Sequence, residues 1–365
     1  MVTPPNALRV EALRVAFGDR EGLRSIDLDV APGERLALLG PSGSGKTSLL
    51  RSLAGLQPVL AGRITVDGRD VTRRAPEQRG IVYMHQTPSL FPHLSVLRNV
   101  TFPLDVRGHS RAEADRRARE ELARVRLEAF ADRAPSTLSG GQRHRVALAR
   151  ALAAAPLVLL LDEPFASLDP ALRSEVRDAF VRVLFENQGP ATIVVTHDVD
   201  EAAALGDRVA VLLEGGVAQS GPPAHVFARP ATFAVARFLG TTNVMAGRRD
   251  AEGVVHTQFG SWRSPGRAGL IHVAVRPTHV RLNRGEMPTE SSGVLVSAVA
   301  VVDSIHERVS GTFVGLRWPA DAAAAPWTAA LSGTPPRAGE RVTVVIDPRD
   351  VHLIDAVDEA PADVR

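Results

Sequence analysis

Short, unbroken apolar runs alternate with helically spaced stretches over the first two-thirds of the chain. Continuous apolar runs are typical of strands that are buried on both faces of a sheet. Because these strands alternate with helix-like segments, the pattern predicts a mainly parallel α/β sheet over roughly the first 235 residues. The predicted strands are Leu8–Val15, Arg35–Leu39, Gly80–Met84, Leu157–Leu161 and Thr192–Thr196.

The stretch between Leu104 and Ala134 differs from its surroundings. It is rich in arginine, glutamate and alanine and shows no strand pattern. Because these residues favour helices and are mostly charged, the stretch predicts an exposed helical insertion. We place it in a helical subdomain of about residues 88–155, inside a first domain of residues 1–238.

The pattern changes after Phe238, where helical spacing stops and glycine, proline and β-branched residues dominate. Such a pattern predicts an all-β domain, and we expect a small barrel over residues 239–365. The acidic C-terminal tail is expected to fray. The predicted strands of this domain are Ile271–Val275, Val294–Val302, Thr312–Trp318, Arg341–Ile346 and Val351–Ile354.

Composition narrows the function classes. The 365 residues include 43 basic and 41 acidic side chains, yet the isoelectric point is near 9.8. The reason is that Lys46 is the only lysine and Tyr83 the only tyrosine, so few groups titrate between neutrality and the arginine range. The high isoelectric point is therefore no evidence for a nucleic-acid partner.

The chain has no cysteine, which excludes disulfides, thiolate zinc sites and cysteine nucleophiles. Its N-terminal sequence mixes charges and prolines where a signal peptide would be apolar. The longest run of small apolar residues, Val294–Val302, is interrupted by Ser297 and is too short to span a bilayer. We therefore expect a soluble chain with at most a peripheral role at a membrane.

The strongest chemical signal is the segment GPSGSGKTS, which follows the predicted strand Arg35–Leu39. Its spacing, G-x-x-x-x-G-K-[ST], is that of a phosphate-binding loop. Glycines let backbone N–H groups curl around phosphate oxygens, and the following helix adds its positive dipole end. The motif predicts that Lys46 reaches the β- and γ-phosphates and that the Thr47 hydroxyl binds Mg²⁺. The predicted nucleotide-binding residues here are Gly40, Pro41, Ser42, Gly43, Ser44, Gly45, Lys46, Thr47 and Ser48.

Two further segments carry chemistry. The apolar run LVLLLDEP ends in adjacent carboxylates, of which Asp162 is predicted to hold Mg²⁺ and Glu163 to polarise the attacking water. The segment LSGGQ precedes a helix and predicts a second anion-receptive helix start. Because one phosphate loop suffices for one nucleotide, we expect this second loop to meet the γ-phosphate of a nucleotide bound to another copy. Its residues are Ser139, Gly140, Gly141 and Gln142.

In their order along the chain, GPSGSGKT, LSGGQ, LLLDEP, ASLD and the histidine of VVTHD resemble the nucleotide-binding subunits of ABC transporters. The resemblance covers residues 8 to about 240. It implies an α/β P-loop NTPase with a RecA-like core and a helical subdomain. It also implies that ATP and Mg²⁺ are the cofactors and that two copies enclose two ATP molecules head to tail.

The resemblance assigns further roles. Phe17 lies where an aromatic ring stacks on adenine, although a core strand residue is the alternative interpretation. Gln86 matches a glutamine that senses Mg²⁺ and couples to the permease, so it is both a catalytic and a metal-site candidate. His197 matches the histidine that contacts the γ-phosphate. Asp169, with Ser167 and Leu168, matches the loop that crosses the dimer interface.

The segment Pro88–Val100 carries three apolar residues, Leu90, Phe91 and Leu94, on a predicted loop and helix start. In the resembled family this region borders the groove that receives a helix of the membrane subunit. These residues are therefore candidates for docking, and ordinary burial within the domain is the alternative. The other histidines, including His144 and His225, show no metal-ligand spacing and are interpreted as structural.

The last 125 residues resemble the OB-like (TOBE) barrel that importer ATPases carry, on the stretches GTTNVMAG, IHVAVRPTHVRL and GERVTVVIDPRDVHLI. The aromatic residues of this part show no stacking-platform spacing, so we expect a dimerisation or regulatory role, with effector binding as a second option. They are Phe259, Trp262, Phe313, Trp318 and Trp327.

Together these features predict an ATPase that powers a solute importer. Its expected partners are a second copy, two transmembrane permease subunits and an extracytoplasmic solute-binding protein, with no nucleic acid. Its expected location is the cytoplasmic face of the inner membrane. The alternatives are a soluble ABC ATPase that acts on nucleic acid or ribosomes, and an exporter ATPase. Polyamine, ferric iron, sulfate-type oxyanions and sugars all remain open as the solute, with polyamine or ferric iron favoured.

Overall fold

The computed structural model divides into two compact units, Met1–Val226 and Phe227–Arg365. The domain bounds at residues 238 and 239 stay a prediction. No helix among the residues described is long and apolar enough to cross a membrane. The structure describes residues 7–17, 20–185, 189–240, 243–258, 260–283, 296–308, 311–319, 326–331 and 333–355.

The first unit alternates strands and helices, as the sequence predicts. Its strands are β1 Leu8–Phe17, β2 Arg20–Val30, β3 Arg35–Leu39, β4 Ala61–Val66, β5 Arg69–Asp70, β6 Ile81–Met84, β7 Val158–Asp162, β8 Ala191–Thr196, β9 Arg208–Leu213 and β10 Gly216–Gly221. Its helices are α1 Lys46–Leu53, α2 Val96–Val106, α3 Arg111–Arg124, α4 Gly140–Ala153, α5 Pro170–Phe185 and α6 Val199–Leu205; α7 Pro223–Ala228 crosses the division between the units.

A six-stranded sheet in the order β10-β9-β3-β8-β7-β6 forms the centre of this unit. The pairs β9–β3, β3–β8, β8–β7 and β7–β6 are all parallel, and only β10 pairs antiparallel with β9. The prediction of a mainly parallel sheet is thus confirmed. Because parallel strands point the same way, the segments that follow β3, β6, β7 and β8 all leave the sheet at one edge.

The first predicted strand, Leu8–Val15, was expected in the parallel sheet, and that expectation is wrong. The strand belongs to a separate four-stranded sheet in the order β2-β1-β4-β5, where β1 pairs antiparallel with both β2 and β4. The physical reason is the connection between β1 and β2, which holds too few residues for a crossover. A short connection of this kind allows only antiparallel pairing.

Strand β7 shows why unbroken apolar runs mark buried strands. Successive side chains of a strand point to opposite faces. Leu159 and Leu161 lie in a core with residues of α2, α3, α4 and α5, whereas Val158 and Leu160 lie in a second core with residues of α1 and the antiparallel sheet. All five residues of the strand are buried, so both faces of the parallel sheet are covered.

The helical insertion predicted between Leu104 and Ala134 is present. Its main element, α3, buries Ala114, Ala118 and Leu122 along one stripe and keeps its charged residues outside. The N-cap, Ser110, accepts a hydrogen bond from the backbone of Glu113. Spacing of three to four residues between the buried positions is the pattern of a helix with one face on a core.

The second unit is an all-β structure with one short helix, α8 Phe233–Phe238, before its strands. Two five-stranded antiparallel sheets, β13-β12-β11-β14-β20 and β15-β19-β16-β17-β18, share a single core, which confirms the all-β prediction. The strands are β11 Asn243–Arg249, β12 Val254–Thr257, β13 Gly260–Arg263, β14 Gly269–Val275, β15 Arg281–Asn283, β16 Val296–Arg308, β17 Gly311–Arg317, β18 Trp327–Leu331, β19 Arg341–Ile346 and β20 Val351–Asp355.

The tryptophans of this unit belong to its core. Trp262, Trp318 and Trp327 are between 1% and 5% exposed, and the rings of the last two meet edge to face with centroids 5.5 Å apart. These three rings therefore pack the core of the unit. Phe259 lies outside the described residues.

A buried arginine ties the end of α1 to the segment before β6. The Arg79 side chain donates hydrogen bonds to four backbone carbonyls, two of them in the last turn of α1, although the residue is only 6% exposed. Burial lowers the pKa of this guanidinium. The accepting carbonyls are those of Ser52, Leu53, Thr72 and Arg74. Carbonyls at a helix C-terminus lack partners within the helix, so a cation stabilises them.

We predict that Arg79→Lys lowers the free energy of unfolding by about 2 kcal/mol, because a lysine has fewer N–H groups and leaves some of these buried carbonyls without a donor. Urea unfolding followed by circular dichroism measures the loss. The matched control is Arg69→Lys on β5. Arg69 is exposed, so this substitution should change the free energy of unfolding by no more than about 0.5 kcal/mol. Equal midpoints for the two variants would contradict the role of Arg79.

Candidate functional site

The phosphate-loop segment lies between the carboxyl end of β3 and the first residue of α1, Lys46. Gly43 and Gly45 have φ angles of 81° and 103°, in the left-handed region that favours glycine. Gly40 is packed so closely that a Cβ atom on it would lie 2.4 Å from the carbonyl oxygen of Leu212. The loop therefore needs glycines at these three positions for steric reasons.

Lys46 folds back over this loop. Its Nζ atom donates hydrogen bonds to the carbonyl oxygens of Gly40 at 2.7 Å and Pro41 at 2.9 Å, and the residue is 5% exposed. Burial lowers the pKa of the ammonium, while the negative charges of Glu163 and Asp162 act in the opposite direction. The one lysine of the chain is thus held at the loop with two of its three N–H groups engaged.

Asp162, the last residue of β7, is buried and hydrogen-bonded through both carboxylate oxygens. The Thr47 hydroxyl donates to Oδ1 at 3.0 Å, and the Tyr83 hydroxyl donates to Oδ2 at 2.7 Å. Burial, followed by the hydrogen bond to Asp162, raises the pKa of Tyr83. The structure therefore brings together two of the predicted Mg²⁺ ligands, Thr47 and Asp162, and shows that Tyr83 is hydrogen-bonded to one of them, Asp162.

Glu163, the next residue, leaves the strand with a φ angle of 44°, which is a strained conformation for a residue with a side chain. Its backbone N–H is held by the carbonyl of Val195 in the neighbouring strand β8. His197 follows the end of β8, and its Nδ1 atom lies 3.4 Å from Oε2 of Glu163. Two of the three predicted catalytic residues, Glu163 and His197, are therefore side by side.

One cavity of about 510 Å³ is lined by four of the predicted site residues: Thr47, Gln86, Asp162 and Glu163. Its lining is polar, which suits a charged ligand more than an apolar one. The residues that line it are Thr47, Arg51, Tyr83, His85, Gln86, Thr87, Ser89, Asp162 and Glu163. Gln86 is exposed in the segment after β6 and faces the same space as the two carboxylates.

The segment LSGGQ, which we call the signature segment, leads into α4. Ser139 is the N-cap and forms a capping box with Gln142, in which each side chain bonds the backbone of the other. Gly141 packs closely on α5, because a Cβ atom there would lie 2.7 Å from a methyl group of Leu172 and 2.8 Å from one of Val176. Among the residues described, those that line the 510 Å³ cavity include no member of this segment. Ser139, Gly140, Gly141 and Gln142 thus form a second helix start outside the cavity of the phosphate loop.

A buried histidine joins three of the predicted motifs. His144 on α4 is 3% exposed, with Nδ1 3.0 Å from the carbonyl oxygen of Gly140 and Nε2 3.4 Å from the Ser167 hydroxyl. The Ser167 hydroxyl in turn donates to the carbonyl of Gln86 at 3.4 Å. Burial lowers the pKa of His144, which favours the neutral ring. These contacts therefore link the start of α4, the segment around Ser167 and the segment around Gln86.

The remaining predicted residues lie nearby in the fold. Asp169 caps α5, since its Oδ1 atom accepts a hydrogen bond from the backbone N–H of Leu172. Strand β1 ends at Phe17, whose side chain lies outside the described residues. Its stacking on adenine stays a prediction.

The candidate docking residues are half-buried. Leu90 packs against the core beneath the helices, so ordinary burial accounts for this residue. Phe91 instead lines a second cavity of about 390 Å³ together with Phe102 and Arg150. Its ring centroid lies 4.5 Å from that of Phe102, and its backbone N–H and carbonyl are both bonded by the side chain of Asn99, which is fully buried. The buried amide therefore fixes the segment on which Phe91 is presented.

The residues of the first cavity fit a nucleotide triphosphate with Mg²⁺. The N-cap of α1 is Gly45, which supplies no side-chain acceptor, so the first N–H groups of the helix point to the loop without a cap. Such groups bind phosphate oxygens. The oxygen atoms of Thr47 and Asp162 are ligands of the type that Mg²⁺ prefers.

Sequence reasoning missed two residues of this region. Tyr83 was used only in the charge count, although its position three residues before Gln86 on an apolar strand could have shown that it reaches the same edge. The contact of His144 with Ser167 had no signal in the sequence, because the fold alone brings these two residues together.

Known proteins match the chain over most of its length. Residues 23–166 match the family described as ABC transporter. The Fe(3+) ions import ATP-binding protein FbpC of Streptomyces avermitilis is 41% identical over 354 residues, which cover 95% of this chain and 98% of that protein. The protein of the same name from Streptomyces coelicolor is 46% identical over 76% of this chain and 80% of its own. The sulfate/thiosulfate import ATP-binding protein CysA of Thermosynechococcus vestitus is 44% identical over 66% of this chain and 71% of its own.

Solved structures match about three-fifths of the chain. One is cbiO1 from Clostridium perfringens, described as part of an ABC transporter complex, with 34% identity and a TM-score of 0.57 over 61% of this chain and 91% of that one. Another is a dimeric ATP-binding cassette in a post-hydrolysis state with ADP and Pi bound. It has 30% identity and a TM-score of 0.52 over 59% of this chain and 98% of that one. The fold prediction is thereby confirmed, and with it the ATPase prediction. The chain belongs to the ATP-binding, ATP-hydrolysing subunits of ABC importers.

Proposed function

We propose that the described site binds ATP with Mg²⁺ and hydrolyses it through the residues gathered at the carboxyl edge of the parallel sheet. The observation that carries this proposal is the single cavity that contains Thr47, Gln86, Asp162 and Glu163 beside the Lys46 loop. The loop from Gly40 to Ser48 holds the phosphates through backbone N–H groups and the Lys46 ammonium. Thr47 and Asp162 hold Mg²⁺, which neutralises charge on the phosphates when it is bound.

Glu163 is the general base of this proposal. Its carboxylate accepts the proton of a water molecule that attacks the γ-phosphorus, and the strained backbone at this residue aims the side chain into the cavity. His197, at 3.4 Å from Glu163, orients this carboxylate and contacts the γ-phosphate. Gln86 reaches the same cavity from the segment after β6, where it senses Mg²⁺ and couples the site to the permease.

The site is completed by a second copy of the chain. The signature helix start, Ser139 to Gln142, lies outside the cavity of its own phosphate loop, and its capping box does not use the backbone N–H groups of Gly140 and Gly141, which can bind an anion. In a head-to-tail homodimer it meets the γ-phosphate bound to the partner, and Asp169 lies in the loop that crosses between the copies. Binding of ATP closes the dimer and hydrolysis opens it.

This motion drives two membrane-embedded permease subunits, to which an extracytoplasmic binding protein delivers the solute. The subunit therefore works at the cytoplasmic face of the inner membrane as a peripheral component. The 390 Å³ cavity is the docking site for the permease, because it presents the ring of Phe91, the 40% exposed Phe102 and the guanidinium of Arg150 around one hollow. An apolar hollow with a cationic rim suits an amphipathic helix segment.

We assign ferric iron as the solute. The relative that matches 95% of the chain, through the β domain as well as the cassette, is an Fe(3+) importer subunit. The sulfate/thiosulfate relative matches 66% of the chain. Action on nucleic acid or ribosomes is not favoured, because these relatives are import proteins.

For docking, we predict that Phe91→Ala leaves the ATPase rate of the free subunit unchanged and lowers permease-coupled transport by about tenfold, since an aromatic anchor of a docking site is lost. Transport into proteoliposomes that contain the whole importer measures this. The matched control is Phe185→Ala, an exposed phenylalanine at the end of α5 that does not line the cavity. Loss of nucleotide binding in Phe91→Ala would contradict docking as its role.

For the solute, we predict that cells lacking this chain lose most of their ferric-ion uptake and keep sulfate uptake. The intact chain should restore iron uptake, and Glu163→Gln should not, because it lacks the general base. Uptake of radioactive iron and sulfate by the same cells measures both. Loss of sulfate uptake alone would assign an oxyanion instead, and normal uptake of both would contradict the proposal for either solute.

A further inference from the structure

Tyr83 is the only tyrosine of the chain, and none of the roles proposed above uses its hydroxyl group. This group donates a hydrogen bond to Oδ2 of Asp162 at 2.7 Å. A short bond from a neutral donor to a carboxylate is among the stronger hydrogen bonds in proteins. Tyr83 also lines the 510 Å³ cavity, so the bond lies at the edge of the nucleotide site itself.

The strand register explains how the contact arises. Strand β6 pairs in parallel with β7, and Tyr83 lies opposite Leu160. Asp162 follows Leu160 by two residues, so it lies on the same face of the sheet. The Tyr83 side chain runs along this face toward the carboxyl edge and ends at the carboxylate. The same face carries α1, which supplies Thr47.

The two oxygens of Asp162 are therefore unequal. Oδ1 receives the Thr47 hydroxyl at 3.0 Å, on the side of the phosphate loop, whereas Oδ2 is held by Tyr83. A cation that binds beside Thr47 meets Oδ1 first. To use both oxygens it would have to share Oδ2 with the hydrogen bond from Tyr83.

Divalent cations differ in their need for both oxygens. Ca²⁺ takes six to eight oxygen ligands in a flexible geometry and often binds a carboxylate through both oxygens. Mg²⁺ is smaller, keeps several of its water molecules and uses one or two carboxylates in a strict octahedron. A carboxylate that Tyr83 holds through Oδ2, with Oδ1 on the side of Thr47, suits the smaller ion, which can use one oxygen.

We propose that Tyr83 is a positioning residue that holds Asp162 through Oδ2, leaves Oδ1 for the metal and so sets the preference of the site for Mg²⁺ over Ca²⁺. The inference rests on the proposed role of Asp162 as a metal ligand. Beyond that role, Tyr83 determines which oxygen of the Asp162 carboxylate faces the metal.

The test uses Tyr83→Phe, which keeps the ring and removes the hydroxyl. We expect the Mg²⁺ concentration that gives half-maximal binding of ADP to rise by roughly tenfold, because Asp162 is no longer held in place. The Ca²⁺ concentration that gives half-maximal binding of ADP should change much less. The difference between the Mg²⁺ and Ca²⁺ half-maximal concentrations therefore becomes smaller. Binding of a fluorescent ADP to the full chain measures both ions without hydrolysis.

The matched control is His85→Phe. His85 lines the same cavity, and its ring lies 4.4 Å from the Tyr83 ring, but the hydroxyl bond to Asp162 does not involve it. This variant should keep the ion preference of the unaltered chain. An equal shift for both ions in Tyr83→Phe, or the same shift in His85→Phe, would overturn the proposal and leave Tyr83 a packing residue.

A second readout is independent of metal and nucleotide. Because the chain has one tyrosine, labelling with ¹³Cζ-tyrosine gives a single signal in the nuclear magnetic resonance spectrum. We expect this signal to move in Asp162→Asn, since the charged acceptor is replaced by a neutral one. An unmoved signal would show that the bond is absent in solution and would overturn the inference.

Asp162→Asn also separates the two levels of the argument. If it leaves the Mg²⁺ requirement for ADP binding unchanged, the proposed metal role of Asp162 fails, and the present inference fails with it. If Asp162→Asn raises the requirement and Tyr83→Phe does not, the metal role stands and only the positioning role of Tyr83 is wrong.

Discussion

The parallel pairing of β3, β8, β7 and β6 is the constraint on which the site depends. It makes every loop that follows these strands leave the sheet at one edge, so residues far apart in sequence meet there. The Lys46 loop follows β3, Asp162 and Glu163 end β7, and His197 follows β8. The hydrogen bonds around Asp162 depend on this register, and a strand shifted by one residue would turn its carboxylate to the opposite face.

The burial of Lys46 and Asp162 makes the edge sensitive to charge. The ammonium and the carboxylates lie close enough for the charges of Asp162 and Glu163 to oppose the effect of burial on the lysine pKa. In the proposed function, the phosphates of ATP bring further negative charge to the same place, and a divalent cation would offset part of it.

The sequence was informative where a local pattern has a fixed structural meaning. The spacing around Lys46 and the unbroken apolar run before Asp162 predicted a loop, a helix start and a buried strand that the structure contains. The pairing of Leu8–Val15 could not be predicted in this way, because strand partners depend on connections and on the rest of the sheet. The bonds of Tyr83 to Asp162 and of Arg79 to the carbonyls of α1 were invisible for the same reason: each joins residues whose separation in space is set by the complete fold.

The signature helix start outside the cavity leads to the central claim, that two copies of the chain complete each ATP site. Gel filtration of Glu163→Gln with ATP and Mg²⁺ tests it most directly, because ATP then persists in the closed state. We predict elution at twice the mass of one chain with ATP but not with ADP, and loss of this species when Ser139→Arg is added to block the helix start. A species whose mass depends neither on the nucleotide nor on Ser139 would contradict the claim.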